Sequence, residues 1–261
     1  MSRRALALAL ALGSAPAVAR DRKADRAPEA SSPAWATPEG KRAAQLEMVE
    51  LLMQAQNPDG ALAMIAQMRT DGAEGPEIDL VQGRALADAG LSEDATAMLN
   101  RVPRRSAVYG AAQNELGLLA TDAGDLTTAI AHFEAATRSD KEVAAWWNNL
   151  GFAQLSAGDP DAAVLSLRTS LALDSAQPRT RNNLGYALLT LNQPNEAYRV
   201  FRAGSSEADA RYNLGVGYEL RGDPAAATAA YEAALNANPD FSPARDGLSR
   251  LRATPTAETT P

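Results

Sequence analysis

Asparagine returns at a fixed stride in this chain. Asn148-Asn149-Leu150-Gly151 is repeated 34 residues later as Asn182-Asn183-Leu184-Gly185. A carboxamide carries two N–H donors and one acceptor oxygen, so a row of them can bond a peptide backbone whatever its side chains are. Little else has the type and spacing that reactions need. The single histidine, His132, lies beside Phe133 in a helical pattern and has no neighbours at metal-ligand spacing. A glycine-rich phosphate loop and a G-x-S-x-G elbow are both missing. The pairs Gly124-Asp125, Gly158-Asp159 and Gly222-Asp223 lack the dense acidic alternation of a calcium loop. A turn followed by a helix cap accounts for them. Without cysteine there is no thiol nucleophile, no disulfide framework and no lipid-modified N-terminal cysteine. The expectation is a protein that binds and is not an enzyme, with no metal, no cofactor and no small-molecule substrate.

The elements that position these residues are helices. Hydrophobic residues make up 46% of the 261 residues but aromatic ones only 5%, so the core must be built mainly from Ala and Leu. Ala is the best helix former, and alternating β-branched runs are scarce. The net charge of −7 leaves no broad basic face, so no nucleic-acid partner is expected.

A register ties the asparagines to these helices. Gly83, Gly117, Gly151 and Gly185 are spaced by 34 residues, and Gly215 follows after 30. Twelve residues after each glycine stands Ala95, Ala129, Ala163, Ala197 or Ala227. Turn sequences lie between the two marks, and Pro58, Pro160, Pro194 and Pro224 open the helix that follows. Proline costs nothing at a first helical turn, where its missing N–H had no partner. Each unit therefore reads as helix, tight turn, helix, with the glycine of the first helix expected to face the alanine of the second. Phe133, Leu167, Phe201 and Tyr231 follow the alanines by one helical turn. The fifth unit is four residues short, so its second helix should stop near Ala203 at Gly204-Ser205-Ser206.

This pattern resembles the tetratricopeptide repeat, best in the stretch YNLGVGYELRGDPAAATAAYEAALNANP. The resemblance implies an all-α, right-handed superhelical solenoid. It would have about six helix-turn-helix units, starting near residues 42, 76, 110, 144, 178 and 208, with a capping helix at about 242–252. It also implies a concave groove lined by the second, fifth, ninth, twelfth and thirteenth places of each unit. Asn114, Asn148, Asn182 and Tyr212 hold fifth places, Phe152 and Tyr186 ninth places and Arg179 a second place. These seven are the candidate partner-binding residues, with the asparagine row holding an extended peptide or helix of a protein partner. Asn149, Asn183 and Asn213, just before each Leu-Gly, are expected to bond between neighbouring repeats. Trp147 matches the family's early tryptophan, and Trp146 is expected to be partly exposed or packed on the preceding unit.

The ends read differently. Arg3 and Arg4, the apolar run Ala5 to Leu12 and Ala17-Val18-Ala19 have the make-up of a secretory signal occupying residues 1–19. Residues 20–40 are expected to be a disordered linker and 253–261 a disordered tail, with the solenoid over 41–252. Cleavage near Ala19 would leave a soluble, exported and periplasmic protein. An almost wholly repeat body, one signal and the stretch Arg181 to Leu188 are similar to the TadD group of tight-adherence (Flp) pilus assembly proteins. That resemblance implies partners in pilus or secretion machinery. The alternative is a pilotin, or another envelope or cell-wall adaptor of a different machine.

Overall fold

The computed structural model describes residues 37–253. The expected signal segment, most of the expected linker and the tail beyond Ala253 lie outside the described residues. Helix α1 begins at Pro38, inside the segment read as linker, because the Thr37 side chain accepts from the Gly40 amide and proline fills the first turn. The repeat body therefore starts about three residues earlier than expected.

Thirteen helices and no strand are found among the described residues. They form six consecutive antiparallel pairs: α1 (Pro38–Gln54) with α2 (Pro58–Thr70), α3 (Pro76–Asp88) with α4 (Ser92–Leu99), α5 (Tyr109–Asp122) with α6 (Leu126–Ser139), α7 (Ala144–Ser156) with α8 (Pro160–Leu173), α9 (Pro178–Thr190) with α10 (Pro194–Arg202), and α11 (Glu207–Leu220) with α12 (Pro224–Ala237). Helix α13 (Ser242–Ala253) closes the array by packing Ala244 and Leu248 with Tyr231.

Local chemistry sets each turn. Gly90, Gly124, Gly158 and Gly222 take positive φ, and Gln56 and Asn192 hold the same conformation where the chain has no glycine. Asn57, Asp125, Asp159 and Asp223 then cap the second helices, each side chain accepting from the backbone N–H three residues on. Such a cap stabilises by about 1 kcal/mol. The Gly-Asp pairs are thus a left-handed residue followed by a cap.

Close approach within the second to sixth pairs depends on the register glycines, but not as the spacing suggested. A β-carbon on Gly117 would lie 2.5 Å from Phe133, and one on Gly151 would lie 2.6 Å from Leu167. Gly185 stands against Phe201 and Gly215 against Tyr231 in the same way. The glycine accommodates the large side chain one turn beyond the alanine, not the alanine itself. Two of the alanines approach the glycine with their backbone instead: Ala163 O is 3.2 Å from the Gly151 β position and Ala95 O 3.4 Å from that of Gly83. All five alanines are fully buried.

Helix α10 ends at Arg202, as the missing four residues predict. Ser205 Oγ donates to Phe201 O at 2.8 Å, and Ser206 opens α11 in a capping box with Asp209. The short helix is tied to α11 by the Tyr198 hydroxyl, which donates to Glu207 at 2.5 Å, and by the Arg211 guanidinium 4.4 Å from the Tyr198 ring centre. Helix α4 is also short although its unit keeps the full period. Pro103 cannot continue a helix, and the chain passes through turns that bury Val102 before α5.

Each first helix touches the first helix of the next unit. Among the described residues no second helix brings its backbone as close to another second helix; α8 and α10 meet only at long side chains, Arg168 reaching Glu196 at 2.6 Å. The first helices therefore lie on the tighter, inner side of the stack, and this face positions the asparagines.

Candidate functional site: the inner face of the stack

The asparagines form a chain of amide bonds between units. Asn149 Nδ2 donates to Asn114 Oδ1 at 2.9 Å, Asn183 Nδ2 to Asn148 Oδ1 at 3.1 Å, and Asn213 Nδ2 to Asn182 Oδ1 at 3.2 Å. Asn148 Nδ2 also approaches Asn149 Oδ1 at 3.3 Å. The residue before each Leu-Gly is thus the inter-repeat donor, as expected. The fifth-place residue is its acceptor, which the sequence reading did not foresee. Asn114 and Asn148 are only 8% and 6% exposed, so their carbonyls serve the stack and are not a free ladder for a peptide. Asn182 remains half-buried.

Three of the seven candidate residues meet in one place. Asn148, Phe152 and Arg179 line a cleft of about 420 Å³ that runs from the third unit to the fifth. Leu118, Thr121 and Asp122 of α5, Phe133 of α6, and Asn149 and Asn183 complete its walls. Phe152 and Leu118 are 45% and 39% exposed, and they stand together in this cleft. Leu118 and Asp122 hold the ninth and thirteenth places of the third unit, so the same register that singled out Phe152 locates them. They were missed because the asparagines drew the reading. Asn182 and Tyr212 line a separate cleft of about 380 Å³ beside the shortened unit, with Arg181, Gly204 and Phe241. Asn114 lines neither cleft.

The tetratricopeptide repeat family matches residues 114–178 and 182–243, the third to sixth units. These four units are tetratricopeptide repeats. Among solved structures, the chain is similar to PilF of Pseudomonas aeruginosa at 14% identity. That match has a TM-score of 0.61 and covers 81% of this chain and 98% of PilF. YrrB, described as a repeat protein of this family with an unusual peptide-binding site, matches at 19% identity. Its TM-score is 0.55 over 71% of this chain and 97% of YrrB. MamA matches at 21% identity, with a TM-score of 0.51 over 59% of this chain and 90% of MamA. At these identities the likeness is one of fold. No curated protein matches the chain by sequence.

The ninth places of the six units form a graded row along the inner face: Glu50, Arg84, Leu118, Phe152, Tyr186 and Val216. At the first end the row is charged and internally paired. Arg84 reaches Glu50 at 2.8 Å and Glu115 at 3.4 Å. Burial pushes the Glu115 carboxyl above the usual range, and the Arg84 charge only partly opposes it. At the other end the aromatics are used in packing. Tyr186 meets Phe201 edge-on at 5.5 Å, and burial raises its phenol. Tyr212 lies between Tyr231 at 5.6 Å and Phe241 at 5.7 Å. Only the middle of the row leaves large apolar side chains uncovered.

The remaining candidates are structural. Trp146 stands over Gly110 of the preceding unit, and Trp147 Nε1 donates to Lys141 O at 2.9 Å. His132 Nδ1 lies 2.8 Å from Gln113 Oε1, and burial lowers its pKa. No group of three or more metal-ligating side chains is found among the described residues. Nor is any helix there long and apolar enough to cross a membrane.

Proposed function

We propose that this protein is a non-enzymatic scaffold that holds a peptide segment or helix of a partner protein on its inner face. The observation that carries this reading is the Leu118–Phe152 cleft, where large apolar side chains stand open between amide and charged groups. Apolar centres with polar rims are the usual anatomy of a protein contact. YrrB, which shares the fold, is described as having an unusual peptide-binding site.

The finer assignment is to an exported assembly. The signal-like residues 1–19 support export to the periplasm, and the similarity to the TadD group supports a role in building pilus or secretion machinery. The alternative is a pilotin or other envelope adaptor of a different machine.

Site-specific photocrosslinking in cells tests both levels. A photoreactive residue at Phe152 should capture a pilus or secretion component. The same group at Leu165, which is 69% exposed on the second helix α8, should not. Capture from Leu165 and not from Phe152 would move the contact off the inner face. Capture of a cell-wall enzyme or another machine's component from Phe152 would replace the pilus assignment alone.

A further inference from the structure

The cleft's two ends carry opposite charges that the protein leaves unused. Asp122 is the last residue of α5 and Arg179 stands in the first turn of α9, two units away. Both are exposed and both line the cleft. Neither side chain has an ion pair or hydrogen bond among the described residues. Other first-helix charges on the inner face are paired within the stack. Arg84 serves Glu50 and Glu115, and Arg211 serves Glu207. Between the free carboxylate and the free guanidinium lie Leu118 and Phe152, on consecutive units. The Nδ2 of Asn183 is committed to Asn148, so its Oδ1 remains, beside the Asp122 carboxylate, to accept an N–H.

We infer that this cleft selects a partner segment of mixed charge: one large apolar side chain seated on Leu118 and Phe152, a Lys or Arg beside it facing Asp122, and a carboxylate on its other side facing Arg179. The inference rests on the inner-face binding proposed above and adds the chemistry of the occupant. Charge complementarity sets which partner docks and in which register, more than how tightly it binds. A uniformly acidic segment would meet Asp122 with like charge, and a uniformly basic one would meet Arg179. The chain's net charge of −7 alone would favour basic partners, so the two rules predict different ligands. Arg179 supplies a planar fork suited to a carboxylate, which a lysine there would not.

Three capped fluorescent peptides of equal length separate the possibilities. Each has the same Leu-Phe centre, flanked by Lys and Glu, by two Lys, or by two Glu. Anisotropy titrations use the full chain at low ionic strength. The Lys/Glu peptide should bind about fivefold tighter than either like-charged peptide, as expected when exposed ion pairs are exchanged for repulsions. Asp122→Lys should turn the preference to the Glu/Glu peptide, and Arg179→Glu to the Lys/Lys peptide. Both sites are exposed, so circular dichroism melts should stay unchanged and certify the variants as folded. Equal affinity of the three peptides, or preferences that the substitutions do not move, would overturn the charge assignment and leave inner-face binding standing. Tightest binding of the Lys/Lys peptide to the unaltered chain would mean that bulk charge, not the cleft, selects. Binding of none of them would remove the inner-face reading together with this one.

Discussion

Asn183 donates its Nδ2 to Asn148 Oδ1 at 3.1 Å, one repeat upstream, and so joins two helical hairpins through a nearly buried amide. A residue so placed acts on stability first. Asn148→Ala should leave the Asn183 Nδ2 without its acceptor and the Asn149 Oδ1 without its donor. The cost of such a loss is about 1–3 kcal/mol. Thermal unfolding followed by circular dichroism should show the drop. Asn182→Ala removes an acceptor that water can replace, because Asn182 is half-buried, and should cost less. Equal melting temperatures for all three proteins would show that the amide chain does not hold the repeats together.

The glycine register makes a second prediction. Gly151→Ala should place its methyl carbon 2.6 Å from Leu167 and push α7 from α8. Overpacking of this kind costs about 1–3 kcal/mol. Adding Leu167→Ala should recover part of the loss if Leu167 is the partner, as the geometry has it. Recovery with a change at Ala163 instead would restore the glycine–alanine pairing.

Caps offer a gain. Leu91 precedes α4 with φ −90° and ψ 63°, close to the Asp125 backbone at −84° and 77°, yet it makes no capping bond. Leu91 is 47% exposed, so little packing is lost on replacing it. Leu91→Asp should raise stability by about 0.5–1 kcal/mol. A fall in melting temperature would show that the apolar side chain matters more there than the missing cap.

Glu115 gives a pH dependence. Its carboxyl titrates above the ordinary value of 4.5 in the folded chain, first because burial disfavours its charge, with Arg84 opposing and Asp88 and Glu50 adding to the rise. A raised folded pKa favours the fold below 4.5, and that contribution fades as pH climbs through the folded value. Glu115→Gln should therefore flatten the stability profile just above pH 4.5 and leave the neutral-pH protein no less stable. Loss of stability at neutral pH would mean that the Arg84 pairing outweighs burial.

The stack was legible because its period is written in small residues and prolines. Pro194 and Gly204 bracket the shortened α10, and α10 ends within a residue of the expected stop. The short α4 was not anticipated, since its unit keeps 34 residues and only Pro103 marks the break. Periodicity places residues along a helix but does not say which residue of the antiparallel partner each one meets. That is why Gly151 was matched to Ala163 when it packs on Leu167. The same gap divided the asparagines incorrectly. Adjacent positions such as Asn148 and Asn149 lie about 100° apart on a helix, and the rotation between repeats decides which of them turns to the neighbour. Leu118 and Asp122 were legible as ninth and thirteenth places of the third unit, but only the stacking of three units shows that they share one wall with Phe152 and Arg179.

The central claim is that the exposed middle of the inner face holds a partner. The direct measurement is the affinity of the partner segment captured at Phe152 for the Leu118→Ser, Phe152→Ser double variant, by calorimetry on the full chain. Each lost apolar contact of this kind costs more than about 1 kcal/mol at a binding centre. The account predicts at least tenfold weaker binding with an unchanged melting temperature. Unaltered affinity in a folded double variant would contradict it.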